Sequence, residues 1–590
     1  MPALSPALTA LLSRSACVAL AAAWLHTTAA TATQSAANAT SSVPLRLIAI
    51  NDFHGHLEPG DNAVMVQHPD DPTRVVPLRA GGAAYVAAKV NALRAESIHS
   101  VFFSAGDLIG ASPLVSALFR DEPTVEAMNL MGLAFNAAGN HEFDHGVAEL
   151  QRMVGGGCAT TPRGEAGSCA HPSGRYAGAR FPFLAANVVN ADGVRLLPAT
   201  LVKTIDGVRV GFIGAVTRST PGIVMPAGIR GWRFQAEAAA INAQAAALQA
   251  QGVQALVAVI HEGGDTEGGF NDCDDPRGAI FEIARALDPS IDIVFSAHTH
   301  RGYNCRVDGR VVIQAASFGR LLSVVDVEID RASGDIRRER VRATNVPVAN
   351  GLGNGPPALS KLYPPVTPDA NVMALVDHYR QRAAPLADRP VGRIAATFDR
   401  RASEGGDHAA GRLIADAHLA ATRINGAQIA FTNPGGVRGD LRRRDDGAVS
   451  FGDVFTVQPF GNSLVTLTLT GAQLKAMLES QWSRRTDRAR FLQPSRGFSY
   501  AWREDRPWGE RVDPDSLRLA GERIRPERRY RITVNSYLAS GGDGFAVLRD
   551  AADQVGGPLD VDALAAYLRQ QSATAPLAPD PEPRIRRAGP

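Results

Sequence analysis

Lysine is scarce in this sequence: only four of the 61 cationic residues are lysines, and arginine supplies the rest. We attribute this bias to codon composition. Net charge is also nearly absent, because 59 acidic residues leave a formal charge of +2 over 590 residues. That balance excludes the strong basic bias of proteins that coat nucleic acid polymers or bind anionic membranes. Hydrophobic residues make up 45%, which excludes a fibrous or wholly disordered chain, and the length predicts two or three packed domains.

Long apolar runs are also missing. A membrane span needs about 20 apolar residues, whereas the apolar stretch near the N terminus covers only residues 16–25. It follows Arg14 and precedes Ala30-Thr31-Ala32, a pattern typical of a cleaved bacterial signal peptide. We therefore predict a signal peptide over residues 1–32, a periplasmic or secreted protein and no integral membrane span. An uncleaved signal anchor is the alternative.

Cysteine is rare, with five residues, and one of them, Cys17, lies within the predicted signal peptide. The remaining four, an even number in an oxidising compartment, predict disulfides. Pairing of neighbours, Cys158 with Cys169 and Cys273 with Cys305, closes short loops, although three connectivities are open. Their spacing lacks the C-x-x-C pairs of structural zinc sites.

The chain divides at a stretch rich in proline and glycine, residues 350–369. Before it, strand-like runs alternate with helical stretches at 83–94 and 236–251, which predicts a layered α/β domain over residues 43–349. The strand-like runs are 45–50, 101–104, 208–213, 255–260 and 291–295, followed by a strand-turn-strand pattern over 311–329. The remaining predicted units are a linker and interdomain helix (350–390, with the helix over 370–382), a smaller second domain (391–570) and a disordered tail (573–590).

Polar residues follow the ends of the predicted strands in the first domain. Five chain segments carry seven such side chains: Asp52, His54, Asp107, Asn140, His261, His298 and His300. In open α/β sheets, sites form at the carboxyl ends of strands, so we expect these side chains at one edge. Seven mixed oxygen and nitrogen ligands suit two divalent ions of Zn, Mn, Fe or Co, but not Ca, which takes oxygen only. Two such ions are typical of phosphoester hydrolysis.

Five motifs then resemble a known family. NDFHGH, GDLIGASP, GNHEFDHG, HEGGD and AHTH, in this order, resemble the secreted 5'-nucleotidases of the calcineurin-like metallophosphatase superfamily. The resemblance covers nearly the whole mature chain. It implies an N-terminal four-layer α/β/β/α sandwich and a second, smaller α+β domain that binds the nucleoside.

The resemblance also implies individual roles. One metal ion would be held by Asp52, His54, Asp107 and His300, and the other by Asp107, Asn140, His261 and His298. His141 would act on the phosphate or the leaving oxygen without binding metal, and Asp144 would orient it. His56 has no metal role and is a loop residue.

The second domain contains the residues expected to choose the substrate. By the same resemblance, Phe460 and Tyr537 would sandwich the base, and Asp543 would accept hydrogen bonds from the ribose. Asn433 and Arg438 would contact the base or the phosphate, and a further phosphate-binding arginine is expected at Arg400 or Arg401.

The sequence therefore predicts a secreted phosphohydrolase acting on nucleoside 5'-monophosphates, with di- and triphosphates or UDP-sugars as further substrates. The alternatives are a 2',3'-cyclic-nucleotide phosphodiesterase with 3'-nucleotidase activity, a thiosulfohydrolase of sulfur oxidation, and a non-catalytic binding protein on the same fold. The expected partner is a nucleotide, not a nucleic acid polymer. The chain is compatible with a monomer or an oligomer.

Overall fold

The computed structural model describes residues 41–60, 63–68, 70–159, 167–353, 357–482 and 489–589. The predicted signal peptide lies outside these residues. The N-terminal domain is built on two six-stranded sheets. The first has the spatial order Arg342–Pro347, Leu321–Asp330, Ser42–Ile50, Ser100–Ser104, Asn136–Ala137 and Phe183–Leu184. The second has the order Gly302–Val307, Arg310–Ala315, Ile293–Ser296, Ala255–His261, Val208–Val216 and Thr200–Ile205.

The central strands of both sheets are parallel. Ser42–Ile50 pairs with Ser100–Ser104, and Ala255–His261 lies between Val208–Val216 and Ile293–Ser296. Every residue of Ala255–His261 is buried, as expected for an apolar run covered on both faces. Each predicted strand-like run overlaps a strand of the structure.

An aromatic core holds the two sheets together. The ring of Phe103 lies 4.8 Å from the rings of both Phe135 and Phe295, and these side chains are buried between the sheets. Helices cover both outer faces, Ala83–Ala95 and Glu122–Met131 on the first sheet, Glu237–Ala250 and Ala279–Ala286 on the second. The expected four-layer α/β/β/α sandwich is confirmed.

The interdomain helix, Ala370–Ala387, packs on the N-terminal domain. The Asp369 side chain caps its first turn by accepting from the amides of Asn371 and Val372. Tyr379 is fully buried, and its hydroxyl donates to Glu126 at 2.7 Å. The helix runs five residues past the predicted end at residue 382 and includes Pro385. Because this helix is docked, the chain changes domain only after it.

The C-terminal domain is an α+β unit. Its five-stranded sheet has the order Gln493–Pro494, Ile429–Thr432, Arg529–Asn535, Ser463–Thr470 and Ala552–Leu559, and a four-stranded sheet has the order Glu522–Arg523, Arg518–Leu519, Phe498–Trp502 and Ile585–Arg587. The main helices are Ala409–Thr422, Phe451–Val457, Gly471–Glu479 and Asp560–Gln571. This domain also contains the short helices Ser536–Ala539 and Ala546–Arg549. The helices before it that have not yet been named are Leu114–Ala117, Gly146–Gly155 and Pro357–Leu362.

The prediction of a disordered tail over residues 573–590 is wrong for residues 573–589, which the structure describes. Ile585–Arg587 forms a strand parallel to Phe498–Trp502, and Ile585 is buried. The guanidinium of Arg584 donates to both carboxylate oxygens of Asp416, at 2.7 and 2.8 Å. A buried bidentate ion pair holds the tail in place, which the proline-rich composition of the segment does not reveal.

We expect Arg584→Ala to destabilise the C-terminal domain by about 3 kcal/mol, because it leaves the buried Asp416 carboxylate without its bidentate cationic partner. Arg586→Ala, which changes an exposed residue of the same strand, is the matched control. Thermal and urea denaturation of both variants measure the difference. Equal stability of the two variants would contradict a structural role for the tail.

Two disulfides join neighbouring cysteines, Cys158 to Cys169 and Cys273 to Cys305. This confirms the neighbour pairing among the three connectivities that the sequence left open. In the described part of the chain, we find no helix with the length and apolarity that crossing a bilayer requires.

Candidate active site

The polar strand ends meet where the edges of the two sheets come together. Asp52, Asp107 and Asn140 follow strands of the first sheet, whereas His261 ends one strand of the second sheet and His298 follows another. The prediction of a single sheet edge is therefore wrong in this respect. A sequence pattern of alternating strands and helices does not show which strands share a sheet.

Three groups of side chains converge at this edge, and the one that contains His54, Asp107 and His141 shares a residue with each of the other two. In the first group, Asp52, His54 and His300 have their ligand atoms within 4.8 Å of one another. His54 Nε2 lies 3.1 Å from His300 Nε2, and His300 Nε2 lies 3.5 Å from Asp52 Oδ1.

The second group contains Asp107, His261 and His298. His261 Nε2 lies 3.0 Å from Asp107 Oδ2 and 3.2 Å from Asn140 Oδ1. Asp107 Oδ2 is also 3.7 Å from His54 Nε2, so this carboxylate lies between the two groups. All seven predicted ligands are brought together.

The hydrogen bonds of the imidazoles show that a cation fits. Nδ1 of His54 donates to Gly110 O at 2.8 Å, and Nδ1 of His261 donates to Ala105 O at 2.9 Å. In the neutral ring, each Nε2 then presents a lone pair. His54 Nε2 faces another imidazole nitrogen, and His261 Nε2 faces two oxygens. A divalent cation satisfies such a cluster of acceptors, and carbonyls that fix the tautomer are typical partners of metal-binding histidines.

Burial and charge shift the pKa values of these groups. Burial raises the pKa of Asp52 to about 7. Burial alone would lower the pKa of His261, but the carboxylate of Asp107 raises it to about 10. The buried carboxylates need positive charge beside them, which a proton on His261 or a divalent cation provides. The mixed donor set fits two ions of the Zn, Mn, Fe and Co group.

Backbone strain marks the same residues. Asp52, His54 and Asp107 have φ between 47 and 49°, and His298 and His300 have φ of 73 and 59°. Residues other than glycine rarely adopt this left-handed backbone conformation. Backbone strain of this kind is concentrated at functional sites.

Glu142 is a residue of this site to which the sequence reasoning gave no role. Its buried carboxylate accepts from the amides of Asp107 at 3.0 Å and Leu108 at 2.9 Å, and from Gly139. It thereby holds the loops that contain Asp107 and Asn140 together. Glu142 could have been identified from the sequence, because it lies inside the motif GNHEFDHG between His141 and Asp144.

His141 and Asp144 lie beside the cluster. His141 Nδ1 is 2.7 Å from Asp144 Oδ2, and the amide of His141 donates to Asp107 Oδ1 at 2.8 Å. With Nδ1 engaged, Nε2 is the ring nitrogen available to another group. Although burial alone would lower it, the Asp144 and Asp107 carboxylates raise the pKa of His141. Its ring is stacked near Phe460 of the other domain, with centroids 5.8 Å apart.

A cavity of about 440 Å³ lies between the domains. It joins His141, Asp144 and His298 of the N-terminal domain to the predicted substrate residues of the C-terminal domain: Asn433, Arg438, Phe460, Tyr537 and Asp543. The Arg438 guanidinium lies 5.8 Å from the centroid of the Phe460 ring. The structure therefore brings five of the predicted substrate residues to one cavity that also reaches His141.

Asp543 is at the centre of a hydrogen-bond network in this cavity. Its Oδ2 accepts from Asn433 Nδ2 at 2.9 Å, and its Oδ1 accepts from Arg490 Nη1 at 3.1 Å. Asn535 Nδ2 in turn donates to Asn433 Oδ1 at 3.0 Å. Arg490 and Asn535 are not among the residues predicted from the sequence. Asn535 could have been identified from the sequence, because it ends a strand two residues before Tyr537. Arg490 lies in a loop without a motif, so the sequence does not single it out.

Arg400 and Arg401 do not line this cavity. They line a neighbouring one together with Arg301, which follows His300, and Pro434 borders both cavities. The backbone amide of Arg400 donates to Asp440 at 2.9 Å, and its Nη1 donates to Val437 O at 3.2 Å. A role for either arginine on the substrate phosphate stays a prediction.

The two-sheet sandwich and the Asp, His and Asn donors at its edge define a metallophosphoesterase. Family profiles agree: one described as Calcineurin-like phosphoesterase matches residues 45–302, and one described as 5'-nucleotidase, C-terminal domain, matches residues 389–550.

Individual relatives cover most of the chain. Endonuclease YhcR of Bacillus subtilis is 33% identical over 92% of this chain, and cell wall protein Lmo0130 of Listeria monocytogenes is 30% identical over 91%. The matches span 41% and 68% of those proteins' own lengths. The solved structure of a 5'-nucleotidase precursor from Thermus thermophilus matches with a TM-score of 0.71 and 25% identity, over 93% of this chain and 100% of that one. The chain belongs to the 5'-nucleotidase family.

Proposed function

We propose that this chain is a secreted phosphohydrolase that releases phosphate from nucleoside 5'-monophosphates. The observation that supports this best is the cavity between the domains, because it connects His141 beside the metal ligands to Phe460, Tyr537 and Asp543. A site that cleaves phosphoesters without recognising a nucleoside needs no such set of side chains beside it.

The residues of the N-terminal domain would carry the chemistry. Asp52, His54, Asp107 and His300 would hold one divalent ion, and Asp107, Asn140, His261 and His298 the other. When bound, two such ions polarise phosphoryl oxygens and lower the pKa of a water molecule. His141 would donate from Nε2 to the phosphate or the leaving oxygen, and Asp144 would keep the imidazole in that tautomer.

The residues of the C-terminal domain would carry the recognition. Phe460 and Tyr537 would stack on the base, which contributes about 1 to 3 kcal/mol per base and tolerates every base. Asp543 would accept from the ribose hydroxyls, and Asn433 and Arg438 would contact the base or the phosphate. The Arg438 guanidinium is suited to an anion because it lies in the cavity that contains His141.

Relatives suggest both the location and further substrates. One relative is named a cell wall protein and another an endonuclease, and two disulfides are typical of proteins outside the cytoplasm. We therefore place the protein in the periplasm or outside the cell. Nucleoside di- and triphosphates, UDP-sugars, cyclic nucleotides and short oligonucleotides are the further substrates to test.

A hydrolysis panel on the purified protein, with the products identified by chromatography, tests the proposal. It compares AMP, ATP, UDP-glucose, a 2',3'-cyclic nucleotide, a short DNA oligonucleotide and thiosulfate-bearing substrates, each with and without a chelator. The proposal requires hydrolysis of AMP that the chelator abolishes and that added Zn²⁺ or Mn²⁺ restores. Preference for the oligonucleotide or the cyclic nucleotide would overturn the assignment to monophosphates.

Removing both stacking rings should separate recognition from chemistry. We expect Phe460→Ala combined with Tyr537→Ala to lower kcat/KM for AMP by about 10-fold or more, because the base loses its stacking partners. A small aryl phosphate, which has no base, should be hydrolysed as before. Trp508→Ala, an exposed aromatic of the same domain, is the matched control. Equal losses on both substrates would mean that the two rings only support the fold.

A further inference from the structure

Residues 217–231 form a loop of the N-terminal domain that is tied to the metal-binding edge. The loop follows strand Val208–Val216 and contains the turns Thr220–Gly222 and Pro226–Ile229. The amide of Thr217 donates to the carbonyl of His261 at 2.9 Å, and its hydroxyl donates to Glu262 at 2.7 Å. Val224 is only 2% exposed and packs in the core of the domain. The position of the loop is therefore fixed relative to the metal ligands.

The same loop contacts the C-terminal domain. The Tyr537 hydroxyl lies 2.9 Å from the carbonyl of Gly222, in hydrogen-bond geometry, and the turn Thr220–Gly222 lies against the turn Gly542–Gly544. The phenol oxygen also accepts from the amide of Asp543 at 2.9 Å. This contact joins the proposed stacking residue to the domain that holds the metal ligands.

The phenol has one proton and two acceptors within reach. Besides Gly222 O, Asp543 Oδ1 lies 3.0 Å from the hydroxyl. That carboxylate oxygen already accepts from Arg490 Nη1, whereas Tyr537 is the one donor that we find for the Gly222 carbonyl among the residues that the structure describes. Burial, and then the Asp543 carboxylate, raise the pKa of the Tyr537 phenol, so the hydroxyl keeps its proton and can donate.

Next to Gly222, the loop supplies an apolar wall. Ile223, Val224 and Met225 line the cavity that Phe460 and Tyr537 line from the other domain. Ile223 and Met225 are half-buried there. A planar ligand between the domains therefore meets aliphatic side chains of the N-terminal domain as well as aromatic rings of the C-terminal domain.

We propose that residues 217–231 form the third wall of the nucleoside site, with Ile223 and Met225 in contact with the bound nucleoside. The hydrogen bond from Tyr537 to Gly222 holds this wall against the stacking residues. Recognition of the nucleoside then depends on the relative position of the domains, because the wall and the rings belong to different ones. This inference rests on the proposed function and adds specificity-determining residues to it.

The test truncates the wall and leaves the rings and the metal ligands intact. We expect Ile223→Ala combined with Met225→Ala to raise KM for AMP, and the inhibition constant of adenosine, about 5- to 20-fold, because apolar contact with the nucleoside is lost. The value of kcat for AMP and the kinetics of 4-nitrophenyl phosphate should stay within about twofold. Val194→Ala, an exposed aliphatic residue of the same domain, is the matched control.

Tyr537→Phe tests the hydrogen bond without removing the ring. It should raise the inhibition constant of adenosine about 2- to 10-fold, which is the range for one lost hydrogen bond. An unchanged KM for AMP and an unchanged inhibition constant of adenosine in the Ile223 and Met225 double variant would contradict the proposed third wall. Equal losses of activity on AMP and on 4-nitrophenyl phosphate would contradict it as well. Failure of the proposed function is distinct, since the wild-type protein would then release no phosphate from AMP.

Discussion

Asp107→Ala should lose phosphate release by at least about 10³-fold and retain less than two equivalents of divalent metal after exhaustive dialysis. The reason is the position of this carboxylate between the two donor groups. Its Oδ2 lies 3.0 Å from His261 Nε2 and 3.7 Å from His54 Nε2, and these histidines belong to different groups. In the predicted ligand sets Asp107 is the one residue shared by both ions, so we expect its removal to affect both. Elemental analysis of the dialysed protein and kcat for AMP measure the effect.

His56→Ala is the control for this prediction. His56 belongs to the same motif, but its Nδ1 contacts the carbonyls of Phe53 and His54, and its ring stacks on Phe318 at 3.9 Å. The His56→Ala variant should therefore retain more metal and more activity than the Asp107→Ala variant. Two retained equivalents of metal in the Asp107 variant would contradict its bridging position.

His141→Ala should keep its metal and lose kcat by about 10²-fold or more, the usual scale for a general acid. His141 shares a donor group with His54 and Asp107, but its Nδ1 is engaged by Asp144 and its ring lines the cavity. The loss should therefore be seen in kcat on both AMP and aryl phosphates, because both develop negative charge on the leaving oxygen. Kinetics on the two substrates and metal analysis of one preparation measure it.

Asp144→Asn provides a graded comparison for His141. The amide is isosteric with the carboxylate but carries no charge and can favour another tautomer of the imidazole, so we expect a smaller loss of kcat than in His141→Ala. Loss of metal together with activity in His141→Ala would instead identify His141 as a ligand, as its distance to His54 and Asp107 allows. Full turnover in His141→Ala would remove it from the mechanism.

The local features of the site could be predicted from the sequence because each depends on a short segment. Strand Ala255–His261 is an unbroken apolar run that ends in a histidine, and Asp107 follows another such strand. Strand ends with polar residues predict ligands without any knowledge of sheet order. Neighbour pairing of the cysteines was favoured by sequence separation, and the short loops of 11 and 32 residues confirm it.

Features that depend on contacts between distant segments could not be predicted in this way. The proline-rich composition of residues 573–590 predicted disorder, but the tail is held by Arg584 on Asp416, 168 residues earlier in the chain. Glu142 lies inside a motif, but its hydrogen bonds go to backbone amides, so residue types alone do not reveal that it supports the Asp107 loop. Arg490 meets Asp543 from a loop 53 residues away, without any motif.

The sequence by itself determined the class of chemistry, the seven side chains predicted as metal ligands and the presence of two domains, because motif spacing and hydrophobic periodicity are local properties of a chain. Only the tertiary structure decided that the donors come from two sheets, that the interdomain helix is part of the N-terminal domain, and that residues 217–231 reach Tyr537. These features arise from packing between segments that lie far apart in the sequence. Packing depends on shape and burial in three dimensions, which the order of residues does not display.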